Sequence, residues 1–253
     1  MELCSTLCTN EDFDLLFGKL SCCGRYMMNS SICDVFDLNS IEYCEALEFQ
    51  KKIVSAKIEK KIEQDIILLL EHPAVFTLGK NGGRKNLKVS EAFLESKEIS
   101  IVQTKRGGNI TFHGLGQLVV YPIFDIAKAE IGVTDFVNYL EEVMIQTTLD
   151  FGVETSRNAK NRGVWVGNSK IGSIGLSIKK GISFHGLALN ISLDLEPFSW
   201  INPCGMDNVS MTSMEQELKK KDPLATIDMG EVKNRLLYHF STKSLFNTQL
   251  SEE

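Results

Sequence analysis

Apolar and polar positions along this chain switch repeatedly between a period of two and a helical period. Cys33–Leu38 (CDVFDL) alternates as a half-buried strand does. From about Ile41 to Lys60 the spacing becomes helical, with Tyr43, Ala46, Leu47, Ile53 and Val54 on one face and Ser40 in the N-cap position. Asp65–Leu70 (DIILLL) is a continuous apolar run of strand length, which predicts burial on both faces. Glu71-His72-Pro73 turns the chain, and Ala74–Leu78 resumes as a strand.

The second half repeats the mixture. Ile101–Thr104 and Leu118–Phe124 read as strands flanking a glycine-rich stretch. Thr134 or Asp135 is placed to cap a helix that runs to about Gly152. Gly163–Val166, Ser169–Ile178 and Gly186–Leu193 form a cluster of strands with tight turns, and Asp228 to Phe240 is an amphipathic helix. The predicted fold is therefore α/β (or α+β), a mixed β-sheet flanked by helices. It is expected as one domain over residues 33–245, after an extension (1–32) and before a short tail (246–253). The extension is loosely specified, with a possible short helix at Glu11–Leu20.

Composition narrows the function classes. A net charge of −6 and a pI near 5.4 argue against nucleic-acid or anionic-membrane partners. No apolar run approaches the ~20 residues that a membrane span needs. Met1 to Thr9 lacks a basic, apolar leader, so the expected location is the cytoplasm. Six of the seven cysteines lie in the first 44 residues. None has a metal-ligand spacing completed by histidines, so neither metal nor cofactor is expected. Cys204 stands apart in Asn202-Pro203-Cys204-Gly205, between a residue that fixes the backbone and one that frees it. Such a turn can aim a thiol, although most free cysteines are small buried hydrophobes.

Three further segments carry candidate chemistry. Arg106 to Gln117 (RGGNITFHGLGQ) holds four glycines in twelve residues, which allows close approach of backbone to a ligand but matches no phosphate-binding signature. Lys170 opens a strand dense in glycine, and an ammonium beside a thiol favours thiolate. His185, in Phe184-His185-Gly186, precedes a run of small residues. His72 and His239 read as structural.

Together RGGNITFHGLGQ (106–117), KIGSIG (170–175), FHGLALN (184–190) and INPCG (201–205) resemble the lipoyl(octanoyl) transferases, and EHPAVFTLGK (71–80) resembles an early strand-turn-strand of that family. The resemblance implies a biotin/lipoate-protein-ligase-like fold. It implies transfer of octanoate from octanoyl-acyl carrier protein to a lysine of lipoyl domains, in 2-oxoacid dehydrogenases and the glycine cleavage H protein. Cys204 matches the nucleophile that becomes an acyl-thioester, and Lys170 the lysine that lowers its pKa. Arg106, Gly107, Gly108, Asn109, Ile110, Thr111, Phe112, His113, Ser173, Ile174, Gly175, Gly186, Leu187 and Ala188 match the acyl-substrate pocket, with His185 as a possible supporting residue. Leu115 and Arg162 stand where the family usually has proline.

The chemistry agrees with that carry-over. Thiolate attack on a thioester regenerates a thioester and needs no ATP, and attack by an amine then gives an amide downhill. Three alternatives remain open at the level of sequence. One is an ATP-dependent lipoate or octanoate ligase on the same fold. Another is a thiol hydrolase or protease pairing Cys204 with His113 or His185, and the last is a non-catalytic binding module.

Overall fold

The computed structural model describes residues 22–28, 31–158, 161–202 and 209–243. Its framework is a mixed sheet in the order β1-β2-β3-β7-β11-β10-β9-β8, with β12 pairing β10. The strands are β1 (Cys22–Met28), β2 (Ser31–Ser40), β3 (Asp65–Glu71), β7 (Gln117–Ile123), β8 (Ser156–Arg157), β9 (Val164–Val166), β10 (Ser169–Lys179), β11 (Ile182–Asn190) and β12 (Ser210–Met211). β2 and β3 are parallel because helix α1 (Tyr43–Ile58) carries the chain back between them, whereas β9, β10 and β11 are joined by tight turns and run antiparallel.

Each face of the sheet is covered. On one, Ala46, Ile53 and Val54 of α1 pack on Phe36, Ile66, Leu68 and Leu70. On the other, α3 (Val133–Asp150) and α5 (Met229–Thr242) bring Phe136, Leu140, Val143, Met144 and Phe240 against Val35, Ile67, Leu69 and Val120. The run Ile66 to Leu70 of β3 is buried throughout, as its continuous apolar sequence requires. Each such side chain contributes ~1.5–3 kcal/mol by leaving water. A second, three-stranded sheet, β5 (Ser100–Gln103), β4 (Val75–Leu78) and β6 (Ile110–His113), has its own core of Phe76, Phe112, Phe198 and Ile201.

Several local expectations give way to the sheet. Ser40 is no N-cap: it ends β2 opposite Glu71, and Ile41 N–H donates to Glu71 O at 3.1 Å, so α1 starts at Tyr43 behind Glu42 without a side-chain cap. Helix α3 starts behind Gly132 rather than at Thr134 or Asp135. Asp228 does cap α5, accepting from Glu231 N at 2.8 Å. Strand β6 lies inside the glycine-rich stretch, because its partner β4 is far upstream and glycine density hides its alternation. The six-residue α2 (Glu91–Ser96), capped by Ser90, and the six-residue α4 (Met214–Lys219) are too short for periodicity to show. Residues 22–28, in the stretch left unspecified, pair with β2, while Glu11–Leu20 lies outside the described residues. Among the described residues no helix is long and apolar enough to cross a membrane.

Candidate active site

Pairing of three central strands builds the floor of a cleft. Ser173 lies opposite Ala188, Gly175 opposite Gly186, and Ala188 opposite Val119. Cross-strand partners share a face, so these small residues make a shallow trough rather than a packed surface. Gly186 is required there, because a Cβ would collide with Val120 O and lie 2.6 Å from Pro122 Cδ. Pro122 has no N–H to give a neighbouring strand, and His185, opposite Leu176 of β10, leaves the strand conformation at φ 55°. The His185 N–H turns away from the sheet to Gln50 Oε1 of α1, at 2.7 Å.

The small sheet supplies a wall. Arg106 is buried and its guanidinium donates to Thr77 O (2.6 Å), Asn109 O (2.7 Å), Gly107 O (2.9 Å) and Thr77 Oγ1 (2.9 Å). It is a strut that holds the glycine loop in shape. Gly107 N–H then donates to Leu176 O at 2.8 Å and ties that loop to β10.

At one end of the cleft sits Lys170, 3% exposed. Its Nζ donates to Asn161 Oδ1 at 2.9 Å and Arg162 O at 2.7 Å and lies 5.4 Å from the Trp165 ring centroid. Two oxygens accept from the amine there and a ring face lies alongside it.

At the other end five ring side chains meet. His72 Nε2 bonds Tyr121 OH and its Nδ1 bonds Ile41 O, both at 2.7 Å. Tyr43 stacks on His113 at 5.9 Å between centroids, and its hydroxyl is 3.5 Å from His185 Nδ1. Burial sets their protonation. It lowers His72 to about 4, against a smaller upward push from the Ile41 carbonyl. Burial and then the Arg106 charge lower His185 to about 3, and burial likewise holds His113 well below the usual histidine range. The same desolvation raises Tyr43 to about 12 and holds Tyr121 well above the usual tyrosine range. All five groups are uncharged at neutral pH. His113 also bonds Gln117 Oε1 at 2.6 Å, and Gln117 donates to Asn190 Oδ1 at 2.9 Å, linking the two sheets.

One cleft thus gathers most of the expected residues: Arg106, Gly108 to Thr111, His113, Lys170, Ser173 to Gly175, and His185 to Ala188. Two stand apart from its lining, Gly107 as the tie to β10 and Phe112, whose ring packs on Phe76 and Phe198 in the small sheet. Cys204 and Gly205 lie outside the described residues. His185 pairs with Leu176, six residues along β10 from Lys170. That is about 20 Å at ~3.3 Å per residue, so His185 belongs to the opposite end from the lysine. Leu115 is 61% exposed on its turn. Tyr43, Val119, Tyr121 and Met211 line the cleft although sequence reasoning did not select them. Val119 and Tyr121 follow from the strand register, which alternation in one strand alone cannot supply.

The match to known proteins agrees with this geometry. Residues 42–241 match the lipoyl protein ligase A/B catalytic domain, and the chain belongs to that family. A protein of Desulfotalea psychrophila named Octanoyltransferase is 47% identical over 203 residues, spanning 79% of this chain and 89% of the relative. A Caldicellulosiruptor bescii protein of the same name is 48% identical over 181 residues, 71% of this chain and 79% of the other. Among solved structures, a putative lipoate protein ligase from T. acidophilum superposes with a TM-score of 0.61 at 14% identity, covering 82% of each chain. The LipL1 structure of P. falciparum in complex with lipoate gives 0.64 at 13% identity, over 87% of this chain and 64% of the other. At those identities the likeness is one of fold.

Proposed function

We infer that this chain moves an octanoyl group from a carrier-protein thioester to the ε-amine of a lysine on a lipoyl domain, by way of a thioester on Cys204. The enzyme is an acyltransferase acting in protein lipoylation, as the relatives named Octanoyltransferase and the matched catalytic domain indicate. The observation that carries the finer reading is the placement of Lys170. A buried lysine amine stands at one end of a trough whose lining includes Ile110, Val119 and Ala188.

Each step balances. The Cys204 thiolate attacks the carrier thioester, and the tetrahedral oxyanion collapses to expel the carrier thiolate, which takes a proton from the Lys170 ammonium and leaves Lys170 neutral. The acyl-enzyme is then attacked by a neutral lysine amine. The amide forms, the Cys204 sulfur leaves, and the ammonium proton of the intermediate passes to a base, for which Lys170 in its neutral form is the candidate. Lys170 as the cation favours the thiolate in the first step. The trough takes the alkyl chain, each buried methylene contributing ~0.8 kcal/mol. The neutral rings at the far end give the chain's tip a surface that needs no counter-charge.

The test is a transfer reaction with two arms. Octanoyl-carrier protein plus lipoyl domain, without ATP, should yield octanoyl-lysine. Free octanoate plus ATP, without carrier, should yield none. Product in the second arm and not the first would make the enzyme a ligase instead.

A further inference from the structure

Asn161 and Arg162, which receive the Lys170 amine, lie outside any helix or strand, yet they are held from behind. Asn161 Oδ1 and Arg162 O accept from Nζ at 2.9 and 2.7 Å. The next residue, Gly163, takes φ 118° and lies flat against the lysine stem. A Cβ there would stand 2.8 Å from Lys170 Cε and would collide with Gly172 O. The Gly163 N–H points the other way and donates to Glu141 Oε1 of α3 at 2.8 Å.

Glu141 is 1% exposed, and a carboxylate in that position must be compensated. Arg157 Nε lies 3.4 Å and Arg162 Nη1 3.5 Å from its second oxygen. Arg162 also donates to Asn138 Oδ1 at 2.8 Å, and Arg157 to Asn138 O at 3.1 Å and Glu142 Oε2 at 2.7 Å. One turn and a half of α3 therefore grips the loop on both sides of the Arg162 carbonyl. The arginine that stands where the family has proline is part of that grip.

We propose that Glu141 is a positioning residue for Lys170: by holding the Gly163 N–H and the Arg162 side chain it fixes the Arg162 carbonyl, which with Asn161 Oδ1 receives the Lys170 amine. The inference rests on the reading of Lys170 as the group that activates Cys204. Glu141 itself touches neither substrate nor thiol, and acts through the loop.

The experiment follows the rate of iodoacetamide alkylation of the Cys204 peptide against pH, in the full chain and three variants. E141D keeps the charge but withdraws the carboxylate by about one C–C bond, ~1.5 Å, whereas E141Q keeps the reach and gives up the charge. Lys170→Ala calibrates the full loss. E141D should raise the alkylation midpoint by at least half of the Lys170→Ala shift, and E141Q should stay closer to the native profile than E141D does. A plain structural tie would lower the melting temperature and leave every midpoint in place. A native midpoint in E141D beside a shifted one in Lys170→Ala overturns the positioning role alone. A native midpoint in Lys170→Ala overturns the reading beneath it, and the role of Glu141 with it. If E141D does not melt cooperatively, Asn161→Ala replaces it. That change removes one Nζ acceptor directly at a half-buried site, and a native midpoint there is equally fatal.

Discussion

The two ends of the cleft bury polar groups in opposite ways. At one, the Lys170 amine is held in the interior by Asn161 Oδ1 and Arg162 O and lies against the Trp165 face. At the other, His72, His113, His185, Tyr43 and Tyr121 share a similar depth of burial and stay uncharged. The difference lies in what each group can become. A lysine that is given acceptors on one side still projects a field, which can stabilise a thiolate. His72, buried between a carbonyl and a hydroxyl, is held neutral by desolvation, and His113 and His185 by burial with the Arg106 charge added. One end presents a hydrogen-bonded amine, and the other a set of uncharged rings.

The largest break in that contrast comes from Lys170→Ala. Removing the ammonium should raise the Cys204 pKa by a unit or more and slow alkylation at neutral pH about tenfold. Stopped alkylation with peptide mapping measures it, and an unchanged rate would strip Lys170 of its role.

Next comes the acid dependence of stability, which the ring end should dominate. His72 is depressed in the fold from 6.5 to about 4. The fold holds it neutral, so its contribution is fully present above pH 6.5 and is lost as pH falls toward 4, where the unfolded chain binds the extra proton. The loss is on the order of 3 kcal/mol for that residue. Denaturant melts at pH 7 and pH 4.5 should show the native chain losing more than His72→Gln does. Equal losses would mean that the imidazole is not held neutral.

The smallest effect should follow Tyr43→Phe. The hydroxyl-to-His185 contact is 3.5 Å, at the weak limit of a hydrogen bond, while the ring stacking on His113 is kept. Transfer rate should change less than about threefold, and a larger drop would make the hydroxyl a working group.

Much of this layout was legible in the chain. The apolar run of β3 announced a strand buried on both faces, and the helical spacing after Ile41 announced α1. The trough was legible as glycine and alanine density at 172–175 and 186–188, since small residues in a strand mark a close approach. What stayed hidden depended on partners far away in sequence. Ser40 looked like a cap until β3 claimed its backbone, and β6 vanished among glycines because β4 specifies it. Tyr43 sat correctly on the buried face of α1, but its ring partner His113 is 70 positions away, and no single-strand period points to it. Glu141 lies within the predicted helix that ends near Gly152, where nothing in the sequence singles it out. Only the return of the chain at Arg157–Gly163 shows what it holds.

The most direct measurement is the mass of the peptide bearing Cys204 after the enzyme meets octanoyl-carrier protein without any acceptor. The account predicts one octanoyl group on that peptide, discharged when lipoyl domain is added and absent in Cys204→Ser. Transfer to the lipoyl domain at full rate by Cys204→Ser, or an acyl group found elsewhere on the chain, would contradict it.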